Sequence, residues 1–127
     1  MNRVVFDASA VAALILGEPG SAPVEKARTG ALITTVNACE VIETLLRRGD
    51  ALDEAIEALR DLQLDPVPFT LDLAAVAASL KAPTRNAGLS LGDRACLALA
   101  LRENIPVLTA DRDWPKVDVG VEVQLIR

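Results

Sequence analysis

The sequence predicts an α/β fold, a three-layer α/β/α sandwich around a mostly parallel sheet, and three observations carry that expectation. Apolar runs of strand length alternate along the whole chain with longer segments of helical period, and right-handed crossovers between such units build parallel sheets. The 127 residues are 51% hydrophobic but only 2% aromatic, so the core must be made of Val, Leu, Ile and Ala, as in strands covered on both faces. No repeat, low-complexity tract or linker interrupts the chain, and residues 1–127 read as one domain.

Taken in order, Arg3 to Phe6 is a short apolar strand that runs into the polar turn Asp7-Ala8-Ser9 and a helical stretch from Ala10 to Leu16. Two glycines and two prolines between Gly17 and Pro23 break the pattern before a brief helix, Val24 to Arg28. Leu32 to Thr35 is the second strand. Asn37 then stands as a cap, with Glu40 in the first turn of a helix that stops near Gly49. Asp50 opens an amphipathic helix with Leu52, Ala55, Ile56, Leu59 and Leu62 on one face. The two helices form an antiparallel hairpin with more apolar surface than one small sheet covers, which makes it a self-association surface.

The third strand is expected at Val67 to Phe69, held to an edge by Pro66 and Pro68. Thr70 or Asp72 caps a helix through Leu80, and Pro83 to Gly88 is a polar loop. Ser90, Gly92 and Asp93 start a helix whose run from Ala95 to Leu101 is apolar enough to be buried on most sides. Ile105 to Leu108 is an interior strand that delivers Thr109-Ala110-Asp111 just beyond its end, and Val121 to Ile126 closes the sheet.

Absences restrict the chemistry. With no His and no Tyr, there is no Ser-His-Asp triad, histidine zinc site or tyrosine nucleophile. Cys39 and Cys96 are too few for a disulfide framework and read as buried, reduced fillers of their helices. A net charge of -5 argues against a protein that coats nucleic acid nonspecifically, while leaving room for a metal-bridged nuclease with a local basic rim. Apolar runs fall short of the roughly 20 residues of a membrane span, and no charged leader precedes a short apolar core, so a cytoplasmic location is expected.

In an open α/β sheet the ligand edge lies at the carboxyl ends of the strands. Asp7 follows the first strand, Glu40 follows the second by way of a turn, Asp93 starts the helix before the fourth, and Asp111 follows the fourth. Each has an ordinary role as a cap, a capping-box partner or a turn residue. Capping explains each acid singly, but not the arrival of all four at one edge. Two carboxylates about 5 Å apart repel by roughly 3 kcal/mol at an effective dielectric near 20, so such a set needs a cation or a proton among its members. Oxygen ligands without His or Cys suit Mg²⁺ or Mn²⁺, and phosphodiester hydrolysis is the natural chemistry of that arrangement. Glu43, one helical turn beyond Glu40, competes with it for the second acidic position. Arg85, Arg94, Arg112 and Lys116 stand near the central stretch and are candidates for steering phosphates.

The opening VVFDASA, the segment NACEVIETLLRRG and, above all, LSLGDRACLALALRENIPVLTADRDW resemble the PIN-domain ribonucleases, specifically the VapC-type toxins of bacterial toxin–antitoxin pairs. The resemblance covers essentially the whole chain in order and implies a single PIN-like nuclease domain over residues 1–127. It implies that Asp7, Glu40, Asp93 and Asp111 form a metal-binding acidic pocket, that Ser9, Ser90 and Thr109 are supporting hydroxyls, and that Asp113 is an additional acid. It further implies endonucleolytic cleavage of RNA, such as a transfer RNA, to a 5′-phosphate and a 3′-hydroxyl, a cognate antitoxin protein as partner, and a homodimer. Two other readings remain: a catalytically weak module that mainly binds a partner protein, and a Mg²⁺-dependent phosphatase or receiver-like domain. The latter is weakened because Asp7 lacks the second acid of a D-x-D nucleophile motif and the third strand ends without a phosphoacceptor Asp.

Overall fold

A computed structural model describes residues 3–127, and within that range the chain forms five strands and six α-helices. The elements run β1 (Val5–Phe6), α1 (Ala8–Leu16), α2 (Ser21–Ala27), β2 (Leu32–Thr34), α3 (Thr35–Arg47), α4 (Leu52–Asp61), β3 (Asp65–Val67), α5 (Leu71–Ser79), α6 (Leu91–Glu103), β4 (Val107–Thr109) and β5 (Val123–Leu125). Short 3₁₀ turns at Arg85–Ala87 and Trp114–Lys116 flank α6 and β4. The sheet order is β3-β2-β1-β4-β5 and every pairing is parallel. All carboxyl ends therefore point to one edge. No helix among the described residues is long and apolar enough to cross a membrane.

The pleat sorts the strand residues between two cores. Phe6, Ile33 and Leu108 pack with Val11, Val24, Val41, Leu45 and Ala55 beneath the first four helices. Val5, Leu32 and Val107 face the other way, against Leu73, Ala77, Leu97, Leu99 and Trp114 from α5, α6 and the turn after β4. This is the three-layer sandwich anticipated from composition. The run from Ala95 to Ala100 in α6 is buried throughout, as its unbroken apolarity requires.

Local structure departs from the sequence expectations in several places, among them the fourth strand, which runs Val107–Thr109 and so takes in Thr109 instead of ending at Leu108. Asn37 does not cap α3: β2 runs directly into the helix, Thr34 is both the last strand residue and the N-cap, and its hydroxyl accepts from Asn37 N at 3.0 Å. Glu40 thus lies in the second turn of α3, not the first. β3 sits two residues earlier than expected, because the Phe69 amide donates to Thr35 Oγ1 at 3.1 Å and Pro68 has no amide to give the ladder. It is nonetheless an edge strand, as expected for a strand that contains Pro66. α2 begins at Ser21, with Pro23 tolerated in a first turn whose N–H groups lack intrahelical partners anyway. Asp50 pairs with Arg48 at 2.8 Å instead of opening α4, whose N-cap is Ala51, its N–H met by the Glu54 carboxylate reaching back at 2.9 Å. Finally, Cys39 is exposed: the inward stripe of α3 is Asn37, Val41 and Leu45, and Cys39 falls outside it, whereas Cys96 is buried as expected.

Candidate functional site

Asp7 is the centre of the carboxyl edge. It is the N-cap of α1, its Oδ1 accepting from Ala10 N at 2.8 Å, and it is 5% exposed. Two hydroxyls from separate elements aim their protons at it. Thr109 Oγ1, at the end of β4, donates to Oδ2 at 2.5 Å, and Ser9 Oγ, in the first turn of α1, lies 2.7 and 2.9 Å from the two carboxylate oxygens. Each hydroxyl in turn accepts a backbone amide from the chain leaving β4, Ser9 from Ala110 N at 2.9 Å and Thr109 from Asp111 N at 3.0 Å. Because those amides occupy acceptor positions, the single proton of each hydroxyl is left for Asp7. The side chains therefore lace the ends of two neighbouring strands through one carboxylate. Burial pushes the Asp7 carboxyl up from 3.8 to about 6, with the charge of Asp93 adding to the rise, against the pull of hydrogen bonds from Thr109, Ala10 and Ser9.

Asp93 reaches this edge from the amino end of α6. The expected capping box is present: Ser90 Oγ accepts from Asp93 N at 3.2 Å, and Asp93 Oδ2 accepts from Ser90 N at 2.9 Å. One carboxylate oxygen is thus spent on the helix, leaving Oδ1 available. Glu40 comes from α3. Its Oε1 accepts from Asn37 Nδ2 at 2.9 Å, and its carboxylate lies against the bare α-carbon of Gly92, where any Cβ would collide with both oxygens. The three acids share one neighbourhood. The fully buried Cys96 thiol below them is raised well above its ordinary range, first by burial and then by the charges of Asp7, Asp93 and Glu40.

Asp111 stands at the rim, exposed, with Oδ1 accepting from Asp113 N at 2.9 Å, while Asp113 turns outward to Lys116 at 3.1 Å. Trp114, fully buried among the α5 and α6 side chains, anchors this loop, although its indole Nε1 has no hydrogen-bond partner among the described residues. Glu43 is exposed and receives only the Cys39 thiol, at 3.4 Å.

Among the described residues, no three acids approach closely enough to enclose an ion by themselves. The donor set nevertheless fits Mg²⁺ or Mn²⁺. All donors are oxygen, and Mg²⁺ is ordinarily held by one or two carboxylates with water completing its shell, so a wide basin is no obstacle. A buried carboxylate whose ionisation is disfavoured is also the group that a nearby cation would relieve.

The basic residues near the motif divide. Arg94 is turned away from the edge, donating to Ala77 O on α5 at 2.9 Å, with its buried Nε without a partner among the described residues, so it staples α6 to α5. Lys116 is paired with Asp113, while Arg85 and Arg112 are exposed. Arg47 was not anticipated: it lines a recess of about 270 Å³ with Ala8, Glu40, Glu43 and Thr44, beside the acids. Nothing local in the sequence marked it, because the recess exists only once α3 packs on α1. Asn37 was expected chiefly as a helix cap, with contact to the site as the second reading, and Gly92 only as part of a helix start; their contact spans 55 positions. A larger recess, about 530 Å³, lies at the opposite, amino end of the strands, around Arg3, Asn104, Pro106 and Gln124, away from the acidic edge.

Comparison with known proteins agrees with this architecture. The family model of the PIN domain matches residues 4–120. No curated protein matches. Among solved structures, the fold is similar to DNA-bound VapBC from Salmonella typhimurium, with a TM-score of 0.78 at 13% identity and 100% of both chains covered. It is similar also to VapBC2 from Rickettsia felis bound to a promoter DNA fragment, with a TM-score of 0.76, 13% identity, and 97% of this chain and 98% of that one covered. The Mycobacterium tuberculosis toxin VapC20, described as cleaving the sarcin–ricin loop, gives a TM-score of 0.73 at 18% identity, over 94% of this chain and 98% of that one. With the family's pattern running through both cores and every element that carries an acid, the chain belongs to the PIN domain family.

Proposed function

We propose that the protein is a Mg²⁺- or Mn²⁺-dependent endoribonuclease, the toxin of a toxin–antitoxin pair, acting in the cytoplasm. The observation that carries this reading is a buried Asp7, ringed by hydroxyl donors, sharing one sheet edge with the carboxylates of Glu40 and Asp93. Asp7, Glu40, Asp93 and the rim acid Asp111 would hold the metal, with Ser9, Ser90 and Thr109 orienting carboxylates and Asp113 shaping the Asp111 loop. When bound, the divalent ion would lower the pKa of a coordinated water and offset charge on the scissile phosphate. The chain's part is to fix the acids on rigid helix and strand ends, so that a phosphodiester enters a preformed anionic basin only in company with cations. With no His or Tyr in the chain, the carboxylates at this edge are the groups best suited to accept a proton from a water. RNA such as a transfer RNA is the expected substrate, cut to a 5′-phosphate and a 3′-hydroxyl.

The solved neighbours from Klebsiella pneumoniae, Salmonella typhimurium and Rickettsia felis are toxin–antitoxin assemblies, which supports an antitoxin protein as partner here. Incubating purified protein with structured RNA and Mn²⁺ tests the reading. Cleavage that disappears with EDTA and in Asp93→Asn is expected, and an inert wild type, or an Asp93→Asn protein as active as wild type, would refute it. Capture of the antitoxin with no turnover under any divalent ion would favour the partner-binding module instead.

A further inference from the structure

Asn37 lies on the buried face of α3, 1% exposed, between the strand from which the helix grows and the helix against which it packs. Its Oδ1 accepts from the Thr34 hydroxyl at 2.6 Å, and its Nδ2 donates to Glu40 Oε1 at 2.9 Å and to Gly92 O at 3.1 Å. That set of partners fixes the orientation of the amide. Exchanging oxygen and nitrogen would turn a carbonyl toward a carboxylate and a backbone carbonyl at once, with no proton between them. The Asn37 amide is therefore directed: one of its Nδ2 bonds crosses from α3 to the first turn of α6 at Gly92 O, and the other holds Glu40 one turn along its own helix.

Gly92 supplies the other half of the arrangement. Its α-carbon forms the floor under the Glu40 carboxylate, in space that any side chain would fill. That floor belongs to the amino-terminal turn of a 13-residue helix, where unpaired amides favour negative charge. Glu40 Oε2 accepts no hydrogen bond among the described residues, so the Asn37 amide holds one oxygen and leaves its twin unclaimed. Glu43 has no comparable seat, being exposed and met only by a thiol.

We propose that Asn37 and Gly92 are positioning residues that seat Glu40 at the amino end of α6, and thereby make Glu40 rather than Glu43 the acid that α3 delivers to the basin. This rests on the metal-dependent reading above for its consequence, but the seat itself is a property of the metal-free chain. It is tested first without metal. In ¹⁵N-labelled protein in EDTA, the Asn37 side-chain amide signals are expected to shift in Glu40→Gln and to stay in place in Glu43→Gln. Mn²⁺ uptake is then followed by electron paramagnetic resonance in wild type, Asn37→Ala, Glu40→Gln and the double variant. Asn37→Ala is expected to weaken binding about 10–100-fold, as loss of an orienting partner does. Adding Glu40→Gln to it should cost little more, because the carboxylate has already lost its seat. Gly92→Ala, which suits a helix and keeps Asn37 intact, should reproduce the loss and serves if Asn37→Ala does not fold. Full additivity in the cycle, unchanged Mn²⁺ uptake in Gly92→Ala, or an Asn37 amide indifferent to Glu40→Gln overturns the proposal. A wild type that shows the amide coupling yet takes up no Mn²⁺ overturns the metal-dependent reading and leaves the seat of Glu40 standing.

Discussion

Asp7 is held by the fold in a state that its own solvation resists. Its carboxyl titrates at about 6 in the folded chain against 3.8 for an ordinary aspartate, chiefly because burial penalises the charge. The folded state therefore binds this proton more tightly than the unfolded state does. The stabilisation it brings is complete below about pH 4 and is lost as pH rises through about 6. Two pH units correspond to about 3 kcal/mol, a large part of the ~5–15 kcal/mol that holds a domain folded. Asp7→Asn keeps an acceptor for Ala10 N and removes the charge. In EDTA it is expected to be more stable than wild type by about 1–3 kcal/mol at pH 7 and nearly equal to it at pH 4, read from urea midpoints. A difference that is the same at both pH values would show that the carboxyl is unperturbed. The sequence showed Asp7 as a helix cap at a strand end because both signals are local. Its burial depended on Thr109, a hundred residues away, and was not visible.

α6 carries both a structural and a chemical duty at one residue, and the two can be separated. Asp93 completes the capping box with Ser90, which the Ser-x-x-Asp spacing revealed directly, and its charge also acts on Asp7 and Cys96. An amide oxygen can accept from Ser90 N as the carboxylate does, so Asp93→Asn should keep the helix start and change stability by no more than about 1 kcal/mol. Mn²⁺ binding and RNA cleavage should fall together in the same protein. Calorimetric unfolding beside an activity assay makes the comparison, and a collapse of the melting temperature would mean that the residue is chiefly structural. Where capping was purely local, sequence spacing found the helix start, as here, or narrowed it to two residues, as at Thr70 and Asp72, of which Thr70 is the cap. Where it was not, the reading slipped. Thr34 served two elements at once, so Asn37 was taken first for a cap when its side chain instead bonds Thr34, Glu40 and, across to α6, Gly92 O. β3 was displaced because alternation is unreadable in a three-residue strand containing a proline, and only the hydrogen bond from Phe69 to Thr35 marks its end.

The whole molecule divides its surface by the direction of its strands. A parallel sheet with helices on both faces gathers the residues that follow its strands at one edge, and of the four acids expected there Asp7, Glu40 and Asp93 share a neighbourhood while Asp111 stands at the rim. The α3–α4 hairpin lies on the flank, and its solvent-facing leucines have no explanation within the monomer: Leu46 is 41% exposed and Leu52 56% exposed, close to the turn at Gly49. Fully burying a leucine is worth about 1.5–3 kcal/mol, and a two-fold interface uses each residue twice, so two such side chains contribute substantially to association. The homodimer expected from the apolar hairpin and from the family resemblance should form there. Size-exclusion chromatography with light scattering is expected to give about twice the 13.4 kDa chain mass. Leu46→Glu combined with Leu52→Glu places four carboxylates across the two-fold axis and should return the protein to a monomer with its circular dichroism unchanged, since neither side chain is buried in the core. A wild type that runs as a monomer at tens of micromolar would leave those leucines to a different protein. A double variant that remains dimeric would place the contact on another face.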